Sequence, residues 1–128
     1  SGKTKKLIER ATKAVETSNG NVIVIEKGLK LTYDLPHQVR LIDTDAYNVS
    51  GAQMLFGFVS GICPGNYDVT DIFIDSTLKI IGQDMNVFKT FAESLNTLAQ
   101  ASNVKITLLV SADATDLPAG MDSLAENV

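Results

Sequence analysis

The run Val22-Ile23-Val24-Ile25 constrains the fold more than any other stretch of this chain. Four consecutive β-branched residues favour extended backbone, because two heavy atoms on Cβ restrict χ1 against a helical turn. The run does not alternate apolar with polar, so a strand made from it must be covered on both faces. Val39-Arg40-Leu41-Ile42, Asp71-Ile72-Phe73-Ile74-Asp75 and the longest run, Val104 to Val110, read as three further strands. Between them the apolar period changes to that of a helix. Leu7, Ile8, Ala11, Ala14 and Val15 predict an amphipathic helix over 4–18, closed by Asn19-Gly20 with Gly20 in the left-handed conformation. Leu55, Phe58, Val59 and Ile62 predict a second helix, opened by Ser50 and Gln53 in a capping-box pattern and stopped by Pro64-Gly65-Asn66. Val87, Phe88, Phe91, Leu95, Leu98 and Ala99 predict a third over 85–102, ended by Asn103. Gly28 to Pro36 reads as a loop or short irregular hairpin, and residues 119–126 as a short terminal helix. Helices alternating with continuous apolar strands predict a doubly wound, mainly parallel α/β sheet of about four strands, with helices on both faces.

Composition narrows the function classes. The 128 residues are one domain's worth of chain, and 45% hydrophobic with 20% charged residues excludes disorder and collagen-like polymers. No apolar run approaches the ~18 residues of a membrane span. Lys3, Lys5 and Lys6 lead into an amphipathic stretch, unlike a signal peptide. The single cysteine, Cys63, cannot form an internal disulfide, which points to a reduced, cytoplasmic protein. Residues 1–40 hold 8 bases against 4 acids, and residues 41–128 hold 3 bases against 11 acids. A basic first segment suits phosphate. The acidic remainder repels a duplex and no basic run is interleaved with aromatics, which argues against nucleic-acid binding.

In doubly wound sheets ligands sit beyond the carboxyl ends of the strands. Glu26, Asp43, Asp75 and Ser111–Asp113 close strands and are the candidates there. Ser1-Gly2-Lys3-Thr4 opens directly into the first helix. Unpaired N–H groups and the helix dipole make such a start an anion site. It has the form of the second half of G-x-x-x-x-G-K-[ST], in which the lysine reaches the β- and γ-phosphates and the hydroxyl ligates Mg²⁺. The apolar strand ending in Asp75-Ser76 has the Walker B pattern, an acid placed to hold the metal shell.

Together these residues resemble a P-loop NTPase of the RecA-like type, a group that includes circadian-clock and replicative-helicase ATPases. The resemblance rests on Gly2-Lys3-Thr4, the strand ending in Glu26, the strand ending in Asp75-Ser76, a long helix, and a strand closing in Ser111. It implies a single RecA-like domain over 1–128 that takes ATP and Mg²⁺. Ser1, Gly2, Lys3 and Thr4 would cradle phosphate, Thr4 and Asp75 hold the metal, Glu26 act as general base, and Ser111 sense the γ-phosphate. It also implies assembly with further copies. The family's first strand and first half-loop would precede Ser1, so the expectation is a domain truncated at its start, with a slot between the last strand and the strand ending in Asp75. Either the parent is longer, or the sheet closes in another order, or a partner chain fills the gap. No arginine finger is evident, since Arg10 falls on the first helix and Arg40 inside a strand. His37 has no second ligand at metal spacing, and Cys63 reads as a buried small hydrophobe. Two rival readings stand beside this one. The first is a catalytically inert α/β interaction module on the same fold. The second is a response-regulator-like or flavodoxin-like sheet with an acidic pocket at Asp43, Asp45 and Asp75.

Overall fold

The computed structural model of the chain describes the backbone of residues 2–65, 68–110 and 125–127, and the side chains of 5–63 and 68–110. Helix α1 (Gly2–Thr17) leads into β1 (Asn21–Glu26). Then come β2 (Val39–Asp43), a 3-10 turn (Thr44–Tyr47), α2 (Ala52–Gly65) and β3 (Val69–Ile74). The chain continues through α3 (Thr77–Ile81), α4 (Met85–Ser102), β4 (Lys105–Val110) and the short β5 (Ala125–Asn127). Every strand pair is parallel, and the order across the sheet is β2-β1-β3-β4-β5. The chain is therefore the doubly wound α/β sheet that the apolar runs predict.

Side-chain alternation splits the core in two. Val22 and Val24 of β1, Phe73 of β3 and Leu109 of β4 meet Leu7, Ala11 and Ala14 of α1. Ile23 and Ile25, Ile72 and Ile74, and Ile106 and Leu108 point the other way, onto Leu55 and Val59 of α2, Leu78 of α3, and Phe88, Phe91 and Leu95 of α4. Among the described residues α1 thus packs against one face, and α2, α3 and α4 against the other. Val22–Ile25 of β1 and Ile72–Ile74 of β3 are continuous apolar runs because both faces are covered there.

Several local expectations are corrected. Gly20 is not left-handed. Positive φ is found instead at Gly28, Gly51 and Gly82. A Cβ at Gly20 would fall on the Asp68 carbonyl oxygen and within 2.6 Å of Thr70 Cγ2, so glycine there permits close backbone approach. Helix α2 begins two residues after Ser50, and the Leu55 N–H donates to the Gly51 carbonyl, which makes Gly51 the capping position. Pro64 and Gly65 lie within its last turn instead of ending it. Helix α3 has too few residues to show a helical period and was not anticipated. Residues 125–126, expected in a terminal helix, are in β5 beside Leu108 and Leu109, while residues 119–124 lie outside the described residues. The slot expected beside the strand ending in Asp75 is absent among the described residues: β4 pairs directly with β3, Ile72 opposite Ile106.

The long β1–β2 connection contains no regular helix. Parallel neighbours need a crossover of a dozen or more residues, usually helical. Here residues 27–38 cross in turns, with Asp34 and Leu35 N–H groups both donating to the Leu31 carbonyl, and Leu31 is buried against the α1-side core.

Candidate functional site

Helix α1 runs antiparallel to the strands. Its last residue, Thr17, lines a cleft with Asp71 and Lys105, at the amino ends of β3 and β4. Ser18 and Thr70 share a hydroxyl–hydroxyl contact at the same end. Sixteen residues of helix rise ~24 Å and six residues of strand ~20 Å, so the first turn of α1 lies over the carboxyl edge of the sheet. That turn is Gly2-Lys3-Thr4. The side chains of Lys3 and Thr4, and the whole of Ser1 and Ser111, lie outside the described residues.

The strand alternation places the acids. Val24 faces α1 and Ile25 faces away, so Glu26 returns to the α1 side. Phe73 and Ile74 alternate likewise, which brings Asp75 to that side too. The Asp75 N–H donates to the Ile25 carbonyl at 2.8 Å, so the two acids close neighbouring strands. Asp43 is opposite Glu26 in the β1–β2 register. Three carboxylates therefore line the edge in the order Asp43, Glu26, Asp75. The point between β1 and β3 is also where the strand order reverses, since β2 lies on one side of β1 and β3 on the other. A crevice for a ligand is expected at such a reversal.

The three acids differ in environment. Glu26 is 2% exposed, and its Oε2 accepts the Leu31 N–H at 3.3 Å. Burial pushes its carboxyl above the usual range, and the nearby Asp75 charge adds to the rise, while the Leu31 and Lys30 N–H groups and the Lys30 charge oppose it. Asp75 is half-buried, and its Oδ2 accepts the Ser76 hydroxyl at 3.2 Å. Asp43 is committed to backbone: its Oδ1 accepts the Gly28 N–H at 2.7 Å and the Asp45 N–H at 2.9 Å. Asp45 pairs with Lys27 at 2.7 Å. The acidic pocket of Asp43, Asp45 and Asp75 is thus not gathered around a single point, because Asp43 and Asp45 hold the β1–β2 loop and β1 stands between β2 and β3.

Among the described residues no group of three or more His, Cys, Asp and Glu side chains is placed to hold a metal ion. Mg²⁺ commonly takes only one or two protein carboxylates, with water and phosphate oxygens completing the shell. Asp75 suits that role: its carboxylate closes a strand next to Glu26 and accepts the Ser76 hydroxyl. Neither arginine reaches this edge. Arg10 lines the cleft with Asp71, Phe73, Lys105 and Thr107, and Arg40 is exposed on β2. Cys63 is a buried free thiol whose ionisation burial opposes.

Sequence reasoning missed the anchoring of the loop to Glu26 and Asp43, and the left-handed Ser76 (φ 54°) that turns the chain from β3 into α3. The Asp43-Thr44-Asp45 spacing was an available sign, since aspartate readily caps the backbone two residues on. Comparison with protein-family models, curated proteins and solved structures gave no match. No helix among the described residues is long and apolar enough to cross a membrane.

Proposed function

We propose that the chain binds ATP with Mg²⁺ at the carboxyl edge of the sheet, between β1 and β3. The observation that carries this reading is the placement of Glu26 and Asp75 on adjacent strand ends, on the side where α1 presents its Gly-Lys-Thr turn. ATP would supply the phosphoryl bond, and Mg²⁺ the charge that neutralises its oxygens. The N–H groups of the first turn of α1 and the Lys3 ammonium would bind phosphate, and Thr4 and Asp75 would hold the metal. Glu26 would orient an attacking water. Its raised pKa moves a carboxylate toward the working pH of a general base. Ser111 would sense the terminal phosphate.

One observation favours the inert interaction module instead: Glu26 is buried and bonded to the Leu31 N–H, the position of a loop anchor. Calorimetric titration with ATP–Mg²⁺ tests the main reading. Weak, Mg²⁺-dependent, saturable binding is expected, falling about tenfold or more in Lys3→Ala, which is about 1.4 kcal/mol. Binding that survives Lys3→Ala unchanged, or no binding at all, gives the case to the module. Slow hydrolysis that is lost in Glu26→Gln with binding retained would assign Glu26 to the chemistry.

A further inference from the structure

Polar residues stand where packing alone calls for apolar ones. On the side of the sheet that faces α1, β1 offers Val22 and Val24. On the same side β3 offers Asp71 and Phe73, and β4 offers Lys105 and Thr107. Register sets Asp71 beside Lys105 and Phe73 beside Thr107, so the four make one continuous floor. That floor belongs to a cleft of about 440 Å³, walled on one side by Glu9, Arg10 and Lys13 of α1. Thr107 is only 6% exposed. Its hydroxyl and the Lys13 and Lys105 ammonium groups make no hydrogen bond or ion pair among the described residues. Asp71 and Lys105 are neighbours of opposite sign that do not pair, and the Asp71 carboxylate accepts the Thr70 hydroxyl at 3.0 Å instead.

We infer that this cleft binds a free α-amino acid, its carboxylate toward Lys13 and Lys105 and its ammonium toward Asp71. Charge selects the class. Arg10, Lys13 and Lys105 repel a simple cation, and Glu9 and Asp71 repel a polyanion, so the lining suits a small ligand of both signs. An α-amino acid carries its two charges on one carbon, which matches an acid and a base on adjacent strands ~4.8 Å apart. Bonds from ammonium to carboxylate are charge-assisted, stronger than neutral ones, and fix the ligand's orientation. The Thr107 hydroxyl is withdrawn from water without a partner, an unfavourable state that a bond from the ligand relieves. Phe73 offers an apolar patch of the floor to the ligand's side chain. A cavity of this size with a few placed polar groups has the anatomy of a small-molecule site. The cleft lies toward the amino ends of β3 and β4, away from Glu26 and Asp75 at the carboxyl edge, and it does not depend on the nucleotide reading.

Thermal-shift screening of the common free amino acids up to roughly 10 mM, followed by calorimetric titration, tests the proposal. At least one is expected to raise the melting temperature and bind saturably. Its N-acetyl form, which lacks the ammonium, and its carboxamide, which lacks the carboxylate, should each bind about tenfold more weakly or worse. Asp71→Asn keeps an acceptor for the Thr70 hydroxyl, and Lys105→Gln changes an exposed strand end, so both variants should fold and both should lose about tenfold in affinity. The N-acetyl and carboxamide comparisons need no variant and stand even if one of these fails to fold. No binding by any amino acid, binding indifferent to both variants, or inorganic phosphate or the N-acetyl form binding as tightly as the amino acid would overturn it.

Discussion

Glu26 occupies a position where a carboxylate pays for its surroundings. Its carboxyl is withdrawn from water and faces the Asp75 charge, and both effects favour the neutral form. A folded-state pKa raised above the ordinary value means that the folded chain binds a proton more tightly than the unfolded one. The stabilising contribution is complete below about pH 4.5 and is lost as pH rises through the raised value. Glu26→Gln keeps an acceptor for the Leu31 N–H and carries no charge. It is expected to raise the melting temperature at pH 7, with the gain disappearing below pH 4.5; thermal unfolding across pH 3–8 measures it. Gly20 illustrates a different residue-scale constraint. The glycine was legible in the sequence as a helix stop, but its reason was not. It admits the Asp68 carbonyl, which accepts the Asn21 N–H at 2.5 Å, and that neighbour is distant in sequence.

At the scale of elements, the helices differ in how their ends are closed. Helix α4 starts at Asp84, whose carboxylate accepts the Asn86 and Val87 N–H groups at 2.9 and 3.4 Å. It ends at Asn103 in the left-handed conformation, with the Val104 N–H returning to the Ala99 carbonyl. The apolar stripe from Val87 to Ala99 and the stop at Asn103 are local features, and for that reason a range of roughly 85–102 was readable from sequence. Asp84→Ala is expected to cost about 1 kcal/mol, read by denaturant unfolding. Helix α3 was missed because five residues carry barely one period, and its start depends on a left-handed Ser76 that no propensity foretells. The β1–β2 crossover is tied by long-range bonds, Leu31 to Glu26 and Gly28 to Asp43. Its local sequence, with Gly28, Asp34 and Pro36, indicated only a loop or a short irregular hairpin.

Over the whole molecule, stability rests mainly on the side of the sheet that holds α2, α3 and α4. Leu108 of β4 is fully buried in that larger cluster, with Ile72, Phe88 and Leu95 among its members. Leu108→Ala leaves a cavity there and is expected to destabilise the fold by about 2–5 kcal/mol in equilibrium unfolding. Among the described residues the other side rests on a smaller cluster that α1 and Leu31 of the β1–β2 crossover cover. Periodicity and the continuous apolar runs determined, without coordinates, β1 to β4, the long helices and the parallel doubly wound class, because each follows from burial repeated along one segment. They also picked out Glu26 and Asp75 as strand-end acids. Strand order was decided only in the tertiary structure, and with it the adjacency of those two acids, the direct pairing of β4 with β3 and the use of Asp43 as a loop anchor. Those depend on which segments meet, and pairing between strands far apart in the chain leaves no period in either one.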